Sequence, residues 1–340
     1  MNLHYYFKPA KVLFFALIFL SNSQAQDKLK VVATASMIAD MAKQIAGDKV
    51  SIECIVPIGG DPHLHSPTPR DVKMVAAADL ILKNGLTFEG WLSELIDNSG
   101  TKGTSVLVTE GVNAIESPTY KNSSDPHAWM DITNGYIYIK NIRDALIKLD
   151  PNNKAFYENK HDLYLKNLEE THAYIHQLVQ TIPKERRILI TSHDAFQYYG
   201  RQYGIQLEAV MGISTDVDVQ TSDMIRLNKV IKSSGVPAIF MESTINPKLL
   251  KQLAADNGIA IGGELYADSI GDEDSPAPSY IDMLRHNTEV IAKALTQEKK
   301  KQGTHEEGSK DSSRTNWWLY GIIAVLGIGG FLLVIKKIDQ

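Results

Sequence analysis

One segment limits the possible folds more than any other. Asn152 to Thr181 contains no glycine or proline and places Phe156, Leu163, Leu168, Ile175 and Leu178 at roughly helical spacing. Read as a single helix it is about 45 Å long, enough to bridge two bodies. On either side, short β-rich runs alternate with amphipathic segments, the pattern of parallel strands covered by helices. The strand candidates before it are Leu29–Ala33, Val50–Val56, Leu80–Lys83 and Ser105–Val108, and those after it are Ile188–Thr191, Leu207–Val210, Ala238–Glu242 and Ala260–Leu265. Helix boundaries are marked too. Thr68 precedes Pro69 as an N-cap before a first-turn proline, Asn246-Pro247 opens another helix, and Gly47, Gly100 and Gly258 stand where helices end in the left-handed region. The expected fold class is therefore α/β, with two (β/α)4-type lobes, 26–150 and 184–296, joined by one long backbone helix, 151–183, across an interlobe cleft.

The ends carry different signals. Residues 1–25 have a cationic start (Lys8, Lys11), an apolar core from Val12 to Leu20, and small residues Ser23 and Ala25, which reads as a cleaved secretory signal peptide. Its apolar core rises only about 14 Å, short of a hydrocarbon layer of about 30 Å. Residues 297–316 are rich in Lys, Glu, Ser, Gly and Thr and read as a flexible tether. Trp317–Ile335 is a charge-free apolar run flanked by aromatics and by Lys336 and Lys337. It reads as a C-terminal transmembrane helix that anchors an extracytoplasmic body in the periplasm or at the cell surface.

Composition removes several classes. A net charge of −5 and a pI near 6.1 argue against a nucleic-acid footprint. A single cysteine, Cys54, excludes an internal disulfide framework, and the absence of a Gly-x-x-x-x-Gly-Lys-Ser/Thr loop removes a P-loop nucleotide site.

Ligands of open α/β sheets lie beyond the carboxyl ends of strands. Four polar motifs stand there: Gly60-Asp61-Pro62-His63, Asp125-Pro126-His127, Thr191-Ser192-His193 and Tyr266-Ala267-Asp268. Three imidazoles and a carboxylate suit a divalent transition ion, whereas magnesium or calcium calls for mostly oxygen. Three nitrogens favour zinc, with manganese next. The proline before His63 and before His127 stiffens each loop and lowers the entropy lost on ordering the ligand. His65 is a weaker, fifth candidate. His172 and His176 have clamp spacing on the long segment but lack the glutamate of a His-Glu-x-x-His hydrolase and read as solvent-facing, while His161, His286 and His305 read as surface residues. Glu242 or Glu264 would be the base of a zinc-dependent hydrolase, an alternative set aside because four protein ligands leave no open position for water. A membrane-tethered surface adhesin is the other alternative.

At these motifs the chain resembles the metal-receptor family of ABC importers, the zinc and manganese solute-binding proteins. The matching stretches are Gly60-Asp61-Pro62-His63 with Pro67-Thr68-Pro69 and Asp71, Ala78-Asp79-Leu80, Asn84-Gly85, Asp125-Pro126-His127-Ala128-Trp129-Met130-Asp131, Thr191-Ser192-His193-Asp194-Ala195-Phe196, Gly212-Ile213-Ser214-Thr215 and Tyr266-Ala267-Asp268. The resemblance spans Lys28 to Leu295. It implies that His63 and His127 from the first lobe and His193 and Asp268 from the second hold the metal. It also implies a monomeric receptor that works with a permease and an ATPase on separate chains. Unlike zinc-dedicated members with a long histidine-rich loop, Glu116–Ser124 is short and has no histidine.

Overall fold

The computed structural model describes residues 28–116, 123–216 and 219–297. The signal segment, the Trp317–Ile335 run, nearly all of the tether and His305 lie outside them.

The first half is one parallel sheet. Strands β1 (Lys30–Ala33), β2 (Ser51–Cys54), β3 (Leu80–Lys83) and β4 (Thr104–Leu107) are ordered β2-β1-β3-β4, with Val31 paired to both Ile52 and Leu80. Helices α1 (Ser36–Ala46), α2 (Pro69–Ala76) and α3 (Leu92–Ser99) connect them. Thr68 and Asp71 form a reciprocal capping box at the start of α2, so the Thr-Pro signal marks a true helix start. A 3-10 turn, Ala128–Met130, leads into α4 (Ile132–Leu149), whose N-cap Asp131 accepts from the Thr133 backbone N–H.

The long segment is α5 (Lys154–Gln180), 27 residues with no break. Its buried stripe is Tyr157, His161, Tyr164, Leu168, Thr171, Ile175 and Val179, whereas Leu163 is 55% exposed. The stripe lies one residue away from the expected one at several turns, because tyrosines and a threonine face α1, α4 and the last helix, α9 (Tyr280–Thr296). His161 is thus buried and not a surface residue, with Nδ1 2.9 Å from Asp162 Oδ1.

In the second half, β5 (Ile188–Thr191) pairs with β6 (Gln206–Ala209), and β7 (Ala238–Glu242) with β8 (Ala260–Leu265), all parallel. Helices α6 (Gln197–Tyr203), α7 (Thr221–Ser234) and α8 (Lys248–Asn257) intervene. The four strands form two ladders, and β5 and β7 meet through packed side chains such as Ile190 and Ile239. A register shift beside Phe240 leaves Gly262 extra on β8, a bulge that raises local twist. A Cβ at Gly262 would lie 2.5 Å from the Phe240 ring, so the bulge needs glycine.

The expected transmembrane helix requires correction. Among the described residues no helix is long and apolar enough to cross a membrane. The longest ones are amphipathic: α4 carries Lys140, Arg143, Asp144 and Lys148, and α5 carries Lys154, Glu158, Lys160, Asp162, Lys166, Glu169 and Glu170.

One core cluster runs through both halves. It joins Val31, Met37 and Leu82 to Tyr138 and Leu146 of α4, Leu168 and Ile175 of α5, and Phe240, Leu265 and Leu284. Strand ends from both halves are thereby held against one another at the site.

Candidate metal centre

Each candidate ligand sits beyond a strand's carboxyl end. His63 is on the loop between β2 and α2, His127 opens the 3-10 turn, His193 follows β5 by two residues, and Asp268 follows β8 by three. The structure brings all four together, one ligand atom from each lying within 4.8 Å of the others. His127 Nε2 is 3.2 Å from His63 Nε2 and 3.4 Å from His193 Nε2. Asp268 reaches the same three nitrogens at 3.7 Å (His63), 3.3 Å (His127) and 3.1 Å (His193). A tetrahedral ion with metal–nitrogen bonds of 2.0–2.1 Å sets its ligand atoms about 3.3–3.4 Å apart, so these separations leave room for one ion at the centre. Both Asp268 oxygens are buried without an aligned hydrogen bond. Unpaired buried carboxylate oxygens are costly, and a cation between them and the imidazoles satisfies both.

The histidines are oriented from behind. Asp125 Oδ1 is 2.7 Å from His127 Nδ1 and also accepts the His127 backbone N–H at 2.9 Å. Glu242, the last residue of β7, accepts the His193 backbone N–H at 2.8 Å through Oε1 and sets Oε2 2.7 Å from His193 Nδ1. That last contact is an ion pair without hydrogen-bond alignment. Both carboxylates leave Nε2 as the nitrogen that faces the centre, the arrangement that fixes the tautomer of a metal-binding histidine. Asp61 accepts the His63 backbone N–H at 2.8 Å, repeating the Asp-Pro-His turn, and its other oxygen accepts from Thr215 Oγ1 at 2.7 Å.

The walls are apolar and closed. His127, His193 and Asp268 are essentially inaccessible, and the His63 side chain is 5% exposed. Phe88 stands edge-on to His63 at 5.1 Å, and Trp129 lies 5.4 Å from His127. The Trp129 indole N–H donates to the Ala267 carbonyl at 2.9 Å, tying the first half to the loop that carries Asp268. Tyr198 on α6 donates to the Asp125 carbonyl at 2.8 Å, a tie in the opposite direction.

Burial and carboxylates act against each other on the imidazoles. Burial pulls His63 down to about 4, so it is neutral at pH 7. Burial also depresses His127, but the Asp125 carboxylate outweighs it, with Asp268 adding to the effect, and lifts the ring to about 9. His193 is likewise raised by Glu242 and Asp268 against its burial. Burial would raise Asp268, yet His193 and His127 hold it well below the usual carboxylate range.

Known proteins carry the same architecture. The family described as zinc-uptake complex component A, periplasmic, matches residues 31–294. The chain belongs to this family. It is therefore a substrate-binding receptor of metal ABC importers. The manganese ABC transporter substrate-binding lipoprotein PsaA of Streptococcus anginosus is 35% identical over 300 residues, covering 84% of this chain and 97% of PsaA. The manganese-binding lipoprotein MntA of Halalkalibacterium halodurans is 35% identical, with 81% and 91% covered. Among solved structures, the periplasmic zinc-binding protein TroA of Treponema pallidum superposes with a TM-score of 0.76 at 33% identity, covering 79% of this chain and 100% of TroA.

Within this family member, the remaining histidines stand apart from the centre. His65 turns away, with Nε2 3.2 Å from Asp71 Oδ2 and its ring 4.7 Å from Trp91. His172 is half-buried and 3.1 Å from the Tyr203 hydroxyl, so it is not solvent-facing, while His176 is exposed. Sequence reasoning missed the supporting roles of Asp125, Asp61 and Glu242. For the two aspartates a signal was present: an aspartate two residues before a backbone N–H forms an Asx turn. For Glu242 the partner is 49 residues away, and no local pattern marks it.

Proposed function

We propose that this protein captures a single zinc ion between His63, His127, His193 and Asp268 outside the cytoplasm and delivers it to a permease driven by a separate ATPase. The observation that carries the reading is the convergence of three Nε2 atoms and the Asp268 carboxylate within 4.8 Å, with five of the separations at 3.1–3.7 Å, near the edges of a zinc tetrahedron. Manganese is the second reading, favoured by the relatives named as manganese-binding. Three nitrogens place zinc ahead in intrinsic affinity.

The halves 26–150 and 184–296 act as two lobes on the α5 backbone, each supplying two ligands. The protein works as a monomer and performs no turnover. Four ligands complete a zinc shell, and Glu242, the candidate base of a hydrolase, is engaged by His193 and not free to act as one. The periplasmic and lipoprotein relatives support the extracytoplasmic location.

Competition titration of purified protein against chelator-buffered zinc and manganese tests the reading. One zinc per chain is expected, with losses of at least about 100-fold for His193→Ala and Asp268→Ala. An unchanged dissociation constant in both variants refutes the ligand set, and tighter manganese binding refutes the choice of ion. Hydrolysis by the zinc-loaded protein that is abolished in His193→Ala would refute the receptor reading.

A further inference from the structure

A second cavity of about 320 Å³ lies beside the metal centre, and none of the four candidate ligands lines it. It is built where open α/β sheets receive ligands, beyond the carboxyl ends of three strands: Ser192 after β5, Val210 and Met211 after β6, and Thr244 and Ile245 after β7. Leu249 and Leu250 from the first turn of α8 close one side, and Asp61 and Leu64 from the His63 loop close the other.

Two of its polar groups, the Ser192 and Thr244 hydroxyls, have no partner among the described residues. Ser192 is 3% exposed, and its hydroxyl has no hydrogen-bond partner. The Thr244 hydroxyl is equally inaccessible and unpaired. Both residues line the cavity, and a buried hydroxyl without a partner is unusual enough to require one from outside the chain. The neighbouring charge is positive: Lys248 lines the cavity at the N-terminus of α8, a ten-residue helix. Asn246 Oδ1 accepts only the Lys248 backbone N–H there, at 3.0 Å, so the positive end of the helix remains available to an anion. Asp61 is the one acid in the lining, and both of its oxygens already accept hydrogen bonds, from His63 N and Thr215 Oγ1. The remaining wall is aliphatic: Leu64, Val210, Met211, Ile245, Leu249 and Leu250.

We infer that this cavity binds a small organic carboxylate with an aliphatic body. Its head group lies among Ser192, Thr244, Lys248 and the start of α8, and its chain lies against the aliphatic wall. The site is separate from the metal centre, so the ion and the carboxylate occupy the protein together.

The test is calorimetric titration of the zinc-loaded protein with hexanoate, with 1-hexanol and hexylamine as neutral and cationic probes of equal length. Hexanoate is expected to bind with a dissociation constant on the order of 1 mM or tighter. Lys248→Glu, a change at an exposed side chain, weakens it at least about tenfold. Thr244→Val, which keeps the shape and removes the hydroxyl, weakens it about fivefold. Zinc affinity, measured on the same samples, stays at the parent value and reports on the metal reading alone. Equal binding of 1-hexanol reduces the cavity to an apolar hole and overturns the proposal. So does a preference for hexylamine, which would make Asp61 the recognising group, or the absence of binding by all three probes, which would leave a water-filled space.

Discussion

Replacing Asp125 with asparagine isolates what one supporting carboxylate contributes. In the parent, Asp125 Oδ1 is 2.7 Å from His127 Nδ1 and accepts the His127 backbone N–H, with both side chains fully buried. Asparagine keeps an oxygen for the backbone N–H, so the turn survives, but the charge behind the imidazole is gone. Loss of such a partner costs about 10–100-fold in metal affinity, roughly 1.4–2.7 kcal/mol. A second effect has the opposite sign. The parent His127 titrates near 9, so at pH 7 an incoming ion must displace its proton. Two pH units below that value, the displacement costs about 2.7 kcal/mol of apparent affinity. Without Asp125, only Asp268 still holds the ring up against its burial, so the ring titrates lower and that cost shrinks at neutral pH. The two effects predict a crossing pattern. At pH 9 the parent binds zinc about 10–100-fold more tightly than Asp125→Asn, and at pH 7 the gap closes to within about tenfold. Chelator-buffered zinc titrations at half-unit steps from pH 6.5 to 9 measure it. A constant ratio across that range would refute the assignment of Asp125 as the group that sets the His127 proton.

Other consequences follow from the same geometry. In the metal-free protein, His127 is raised from 6.5 to about 9, so its contribution to stability is complete below pH 6.5 and is lost as pH climbs through 9. His63, lowered to about 4, acts the other way and costs stability as pH falls from 6.5 toward 4, because the unfolded chain takes up the proton first. The stability of the metal-free protein should therefore peak near pH 6.5 and fall by up to about 3 kcal/mol on either side, with the melting temperature following it, while bound zinc flattens the alkaline limb. A melting temperature that rises steadily from pH 6.5 to 9 would contradict this. Gly262→Ala should destabilise the fold by about 1–3 kcal/mol in urea titrations, since its Cβ would meet the Phe240 ring at 2.5 Å and Ala294 Cβ at 2.9 Å; a neutral result would mean that the β8 bulge relaxes freely.

The sequence disclosed the elements well because each carries a local signature. All eight expected strands are present within one or two residues at their ends, and the Thr68-Pro69 and Asn246-Pro247 starts sit at helix N-termini. The four candidate ligands, which the fold brings together, were picked out because strand ends are where α/β sheets gather ligands. What stayed hidden depends on contacts distant in sequence. The buried face of α5 includes Tyr157, His161, Tyr164 and Thr171, residues that a hydrophobic count passes over. Glu242 meets His193 only once β7 lies beside β5. The division of the second half into two ladders has no counterpart in the pattern of apolar residues. The transmembrane reading rested on the hydropathy of Trp317–Ile335 and its aromatic and lysine flanks, and among the described residues no helix is of that kind.

The charges around the centre explain how a fully buried site can hold a dication and still let it go. Three carboxylates surround it, Asp125, Glu242 and Asp268, each within 3.7 Å of an imidazole nitrogen. In the metal-free protein at pH 7, protons on His127 and His193 offset two of these charges, because both rings are held in the protonated form by their carboxylates. A bound ion requires neutral imidazoles and brings two positive charges of its own. Exchange of two protons for one dication therefore leaves the net charge of the buried cluster unchanged, and neither state leaves a bare charge in a low-dielectric pocket. Close to two protons should be released per zinc bound at pH 7, and fewer as pH passes 9 and His127 deprotonates in the free protein. Calorimetry in buffers of different ionisation enthalpy reads this number directly. A value near zero at pH 7 would mean that the rings are neutral before the ion arrives, and the proton-for-metal exchange would have to be abandoned.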